Sequence, residues 1–214
     1  MSRLSEVSPP KPTPSTSRLV PVGLISLLQI QKDKLIGDTP DGQVYRTTSL
    51  VAVGELKVAR AGVIAEVDGG WVLDRHHTAH PAETRAHRSD RILSIGFSRH
   101  YKLIEDEFGW APPGVAGENI IVDTADRLHH QDVAGGFVIR TSGGDVELDP
   151  PDVLDSCVPF SKFLLRDKGT PVRRVVQARK FLGAGMRGYS MGASRIPEYA
   201  AVRTGDLVLR NVGS

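Results

Sequence analysis

A single cysteine among 214 residues removes whole classes of chemistry before any motif is considered. No intrachain disulfide framework can form, and neither can a zinc or iron–sulfur site built on several thiolates. A reducing, cytoplasmic setting is expected, and the one thiol, Cys157, needs its own explanation. Long apolar runs are also lacking. No stretch approaches the roughly eighteen consecutive apolar residues of a membrane-spanning helix, and the most apolar early run, Val20 to Ile30, follows a Ser/Pro-rich segment rather than a basic leader. Neither membrane association nor secretion is expected. Charge of one sign is not in excess: 27 Lys and Arg face 25 Asp and Glu, a formal charge of +2. No nucleic acid partner is expected, and any cationic site must be local. Repeats of fixed period are absent, as is the strand–helix alternation of a doubly wound parallel sheet.

Turn-forming residues, by contrast, are plentiful. The chain holds 22 Gly and 14 Pro, about 17% together against roughly 12% in an average protein. Met1 to about Arg18 carries Pro9, Pro10, Pro12 and Pro14 among Ser and Thr. That composition buries too little apolar area to offset ordering entropy, so residues 1–18 are expected to be a disordered tail and 19–214 a single domain. Within it, apolar residues come in short runs: Val22 to Gln29, Gln43 to Val53, Leu56 to Val67, Trp71 to Leu73 and Arg91 to Phe97. Such runs between Gly-bearing turns read as strands.

Helices are expected at Ser98 to Glu107, with Ser98 as its cap, and at Val172 to Leu182. In the second, Val175, Val176, Ala178 and Leu182 share a face and Gly183 ends the helix. A strand is expected at Asn119 to Val122 and another at Asp206 to Asn211. Residues Gly136 to Leu148 alternate around Gly143-Gly144 as a hairpin. About nine short strands and two or three helices make the class mainly β with peripheral helices (α+β), a β-rich barrel.

Four constellations carry chemistry. Asp74 to Arg91 holds Arg75, Arg85, Arg88 and Arg91 with His76, His77, His80 and His87. Planar guanidinium forks suit a loop that grips phosphate, and a solvated surface loop explains the composition equally well. His76 and His80 have a zinc-like spacing, but Pro81 and the lack of a Glu after His76 argue against a zinc-protease helix. The second constellation is Gly114 to Ile120, where two glycines permit close backbone approach before Glu118 and Asn119; an ordinary turn does the same. The third is Cys157, followed by Pro159, in irregular backbone at a strand end, readable as a small buried apolar group or as a reactive thiol. It also admits a Cys–His hydrolase, although no local protease motif supports one. The fourth, Gly183 to Tyr189, sets Arg187 among glycines, either as a helix cap and turn or as an anion-binding nest.

In their order along the chain these segments resemble the MOSC domain, the module named for the C-terminal region of molybdenum-cofactor sulfurases. The features are Asp74-Arg75-His76, the Gly-Glu-Asn-Ile element ending at Ile120, Cys157 with Pro159, Gly185-Met186-Arg187-Gly188-Tyr189, and Gly205-Asp206 before the last strand. The resemblance covers about residues 45 to 212. It implies a MOSC-type β-barrel, molybdenum cofactor (molybdopterin) binding, and either reduction of N-hydroxylated small molecules or sulfur transfer to the metal. A redox or sulfur-donor protein partner is implied with it. Cys157 would ligate molybdenum or carry a persulfide; Arg75, His76 and Arg187 would grip the pterin phosphate. Gly117, Glu118 and Asn119 would shape the pocket, with Gly188 beside Arg187. The sequence departs from the family in placing Phe160 where many members have the critical cysteine. Leu73 stands where a glycine usually precedes Asp-Arg-His, and the His-Gly-Gly element of some subfamilies is missing. A non-catalytic module that keeps the barrel and binds an anionic ligand or partner is the alternative.

Overall fold

The computed structural model describes residues 18–81, 83, 85–166 and 169–213. The expected tail thus falls on residues 1–17, outside the described ones, except for Arg18, which begins the first strand. In chain order the elements are β1 (Arg18–Gln31), β2 (Ile36–Thr39), β3 (Gly42–Tyr45), β4 (Leu50–Val53), β5 (Glu55–Ala59), β6 (Gly62–Val67), β7 (Gly70–Leu73), β8 (Leu93–Phe97), α1 (Ser98–Phe108) and β9 (Ile120–Val122). There follow α2 (His130–Val133), β10 (Phe137–Thr141), β11 (Gly144–Glu147), β12 (Asp152–Val153), α3 (Val158–Leu164), α4 (Val172–Leu182), β13 (Tyr189–Met191), β14 (Ala200–Arg203) and β15 (Leu207–Val212). Strand outweighs helix, 38% to 17%, and the main sheet curls as a half-barrel, so the β-rich α+β class expected from the sequence holds. No helix among the described residues is long and apolar enough to cross a membrane.

Nine strands form the main sheet in the order β11-β10-β15-β1-β9-β8-β13-β12, with β4 also paired to β1. A second sheet runs β14-β5-β6-β7, and β2-β3 is a separate hairpin. The fourteen-residue β1 is the spine: its first half pairs with β15 and its second half with β9 and β4. Alternation along a strand sends successive side chains to opposite faces. Accordingly Leu28, Ile30 and Ile120 join one apolar cluster with Leu56, Val63, Phe97 and Tyr189. Leu27 and Ile121 join the other, with Tyr101, Ile104, Phe160, Leu164 and Leu182 of the helices. Gln29 and Gln31 share the parity of Leu27, which carries two amides to the helical side of the sheet.

Several expectations need correction. The strand count is higher because long runs break into hairpins: Leu56 to Val67 folds back as β5–β6, and Gln43 to Val53 divides between β3 and β4, which belong to different sheets. Ser98 does not cap α1. It is the first helical residue, its hydroxyl accepting from Thr124 N at 2.9 Å, and the capping position falls to Phe97. The β10–β11 turn is centred one residue earlier than expected, on Ser142-Gly143, because Gly144 pairs with Thr141. In α4 the buried stripe is Val175, Ala178 and Leu182, whereas Val176 is 51% exposed.

Candidate functional site

The site is assembled around a buried carboxylate. Asp74 follows the end of β7, is fully buried, and accepts four hydrogen bonds. Its Oδ2 accepts from Gln31 N at 2.8 Å and Asn119 Nδ2 at 2.9 Å; its Oδ1 accepts from His76 N at 2.9 Å and His76 Nδ1 at 2.7 Å. Burial pushes this carboxyl's pKa up, but the His76 side chain and the two backbone donors outweigh it and hold the pKa below the usual range. One side chain therefore locks together the end of β1, the end of β7 and the entry to β9.

The Gly114–Asn119 segment is fastened as tightly. Gln29 Nε2 donates to the carbonyls of Gly114 and Glu118, each at 2.7 Å. Gly117 has φ +98°, and a Cβ there would come within 2.6 Å of Leu35 Cδ1, so only glycine lets the turn pass. Glu118 turns inward at 1% exposure, its Oε2 accepting from the Tyr101 hydroxyl at 2.6 Å while that hydroxyl accepts from Ala116 N at 3.1 Å. Burial raises the Glu118 pKa against the opposing pull of Tyr101 and Arg187. Asn119 uses its whole amide within the protein: Nδ2 bonds Asp74 and Gln29 O, and Oδ1 accepts from Ser94 N and Oγ.

Cys157 lies in extended backbone between β12 and α3, as the irregular setting read from the sequence implied. Arg187 crosses over to it from the turn after α4. Its Nη1 donates to Asp155 O and stands 4.0 Å from Cys157 Sγ, and Nη2 donates to Ala116 O at 3.1 Å. The guanidinium rests over the Phe160 ring with Cζ 4.8 Å from the centroid. Phe160 is fully buried beneath it. Gly188 enforces this path, since a Cβ there would meet Ile95 O at 2.2 Å.

These segments enclose a cavity of about 640 Å³. Of the residues singled out in the sequence, Arg75, His76, Gly117, Asn119, Cys157 and Arg187 line it. Glu118 and Gly188 do not: the first faces Tyr101 behind the loop, and the second packs on β8. Five cations line the cavity, Lys34, Arg75, Arg88, Arg91 and Arg187, against one carboxylate, Asp38. Lys34 is 3.8 Å from Asp38 and Arg88 is 2.8 Å from Asp90. Among the described residues Arg75, Arg91 and Arg187 have no ion pair.

Among the described residues the buried Nε atoms of those three arginines, together with Ser190 Oγ, have no hydrogen-bond partner. Four buried polar atoms without a partner in residues that line one cavity is a costly arrangement. Sequence reasoning missed Lys34, Tyr45, Ser94 and Ser190, which lie on or beside ordinary short strands with no motif. Arg91 stood in the Arg/His segment but was not singled out, and Asp74 was visible only as part of Asp-Arg-His.

No family model matches the chain, and no curated protein matches it in sequence. Solved structures match in fold. The YuaD protein of Bacillus subtilis superposes with a TM-score of 0.57 at 13% identity, over 92% of this chain and 98% of that one. A hypothetical protein does so with a TM-score of 0.51 at 13% identity, over 91% and 69%. YiiM of Escherichia coli overlaps more loosely, at a TM-score of 0.38 and 17% identity over 77% and 65%. The chain therefore shares its overall β-rich architecture with the YuaD protein across nearly the full length of both.

Proposed function

We propose that this chain is a MOSC-type protein that binds a molybdenum cofactor in the cationic cavity, with Cys157 as the sulfur ligand to the metal or as a sulfur carrier. The observation that carries the reading is that Cys157 lines the same cavity as Arg75, Arg91 and Arg187, three arginines with no ion pair among the described residues. The residues fit the group chemically. Guanidinium forks match a pterin phosphate, molybdenum is a soft centre that favours thiolate, and the volume suits a small-molecule site. Among the described residues no three His, Cys, Asp or Glu side chains are grouped to hold a bare ion. A metal that enters already chelated by its pterin needs only one protein sulfur.

When bound, the group supplies a redox-active metal at which an N-hydroxylated molecule is reduced or sulfur is accepted. The chain's own part is to bind, orient and compensate charge. Arg75 and Arg91, without an ion pair among the described residues, would bring guanidinium charge to phosphate. Arg187, held by two carbonyls, keeps its guanidinium beside the Cys157 sulfur. Asn119 in the wall fixes Ser94 and Asp74, and Glu118 behind it fixes the Gly114–Gly117 turn through Tyr101. A redox or sulfur-donor protein is the expected source of electrons or sulfur.

Elemental analysis of protein purified from a cofactor-proficient host tests this directly. Molybdenum or tungsten should copurify with pterin in near-equal amounts, and Cys157→Ser should lose the metal-dependent activity. Absence of metal and pterin would overturn the reading. Unchanged metal content and activity in Cys157→Ser would favour the non-catalytic module, which the buried Phe160 at the family's thiol position also supports.

A further inference from the structure

The histidines of the Arg/His segment are not equivalent. His77 Nε2 meets the Tyr199 hydroxyl at 2.7 Å, and its Nδ1 accepts from Ala79 N. His80 Nε2 meets Lys32 O at 3.1 Å, and His87 Nδ1 meets His76 O at 2.9 Å. These three rings pin the segment down. His76 alone gives Nδ1 to a buried carboxylate and, among the described residues, has no protein partner at Nε2 while lining the cavity.

We propose that His76 is the cavity's proton-dependent hydrogen-bond donor: seating a doubly charged oxyanion there is coupled to uptake of a proton at His76 Nε2, and Asp74 is the positioning residue that makes this possible. The inference rests on the reading of the cavity as an anion site. Three of the four donors to Asp74 are neutral, namely Gln31 N, His76 N and Asn119 Nδ2. Among the described groups that hydrogen-bond this fully buried carboxylate, His76 Nδ1 alone belongs to a side chain that can carry positive charge. By accepting from Nδ1, Asp74 also fixes the tautomer. An unprotonated Nε2 turns a lone pair toward any bound oxyanion; a protonated one donates to it.

The charges around the ring explain why ligand and proton arrive together. Arg75, Arg88 and Arg91 of its own segment, with Lys34 and Arg187 across the cavity, oppose another cation in the unliganded site. On the favourable side stand Asp74 and, paired to Lys34, Asp38. His87 engages only the His76 carbonyl, and Tyr45 and Cys157 are the remaining titratable groups on the cavity wall. A dianion cancels the cationic repulsion and supplies the acceptor that Nε2 lacks, so a proton from solvent is taken up.

Sulfate is the probe, because it does not titrate near neutrality. Calorimetric titrations at constant ionic strength, in buffers of different ionisation enthalpy, count the protons bound per sulfate. Wild type should take up close to one proton, its affinity falling about tenfold per pH unit on the alkaline side. His76→Gln should bind sulfate without proton uptake and without that pH dependence. Asp74→Asn should keep the site but move the pH profile toward acid by about one unit or more. If that variant does not fold, His76→Gln decides alone. Sulfate binding by wild type that is as pH-independent as that of His76→Gln overturns the inference yet leaves the anion cavity standing. No sulfate binding at any pH overturns both.

Discussion

Tyr101, Glu118 and Ala116 show at the residue scale how much of the site is held from behind. One buried hydroxyl donates to the Glu118 carboxylate and accepts from Ala116 N. Tyr101→Phe removes the acceptor of Ala116 N and the hydroxyl donor to Glu118, which costs about 1–3 kcal/mol for an unsatisfied group. A lower urea midpoint with an unchanged slope is the expected outcome. His100, 1% exposed in α1, behaves differently. Burial, reinforced by the charge on Arg127, pushes its pKa down to about 4. The unfolded chain, with a histidine near the ordinary 6.5, binds the extra proton first. Stability is therefore complete above about pH 6.5 and falls as the pH drops toward 4, by an amount on the order of 3 kcal/mol. Urea midpoints at pH 7 and 4.5 should diverge more for wild type than for His100→Gln.

Helix α4 is the clearest case at the scale of elements. Its bounds, Val172 to Leu182, are those read from the sequence, because a narrow apolar stripe at helical spacing ends at Gly183. Its first turn carries Arg173 and Arg174 and no acid, where the helix dipole disfavours positive charge. Arg173→Glu and Arg174→Glu should each raise stability by about 0.3–1 kcal/mol, seen as a higher Tm that shrinks in high salt. Val176 lay on the expected face yet is exposed, since the stripe that meets the other helices is only three residues wide. The capping of α1 was misread for a related reason: Ser98 Oγ finds a partner in Thr124, 26 positions away, which no local pattern discloses. The run Leu56 to Val67 splits because the chain reverses between Ala59 and Gly62, which pair across the turn, and Gln43 to Val53 splits at the polar stretch Arg46 to Ser49.

For the molecule as a whole, the cavity is a place where folding and binding compete. Arg75, Arg91 and Arg187 bring like charges and unsatisfied Nε atoms to one wall, and burial lowers the Arg75 pKa despite the attraction of Asp74 and Asp33. Such a wall is maintained against stability. Arg91→Met should therefore raise the Tm in low-salt, anion-free buffer and reduce the upward shift that sulfate produces in wild type. At a hundred times its dissociation constant a ligand specific for the native state adds about 2.7 kcal/mol. Thermal melts of both proteins with sulfate, against chloride at equal ionic strength, measure the difference.

Local order was legible from the sequence alone: the β-rich class, helices α1 and α4, the β10–β11 hairpin, and the segments around Asp74, Gly117, Cys157 and Arg187 as those with chemistry to explain. Periodicity, glycine placement and residue type act over a few positions, so a linear reading captures them. Membership of one cavity was decided only by tertiary structure. Gln31, Asp74 and Asn119 meet because β1, β7 and β9 end together, and Arg187 reaches Cys157 because Gly188 lets the chain press against β8. The same packing turned Glu118 inward toward Tyr101 and engaged the Asn119 amide within the wall, while Arg91 and Ser190 line the cavity, each with a buried atom that has no partner among the described residues. Which polar group stays free for a ligand depends on whether a partner arrives from a distant strand, and distance along the chain does not encode that.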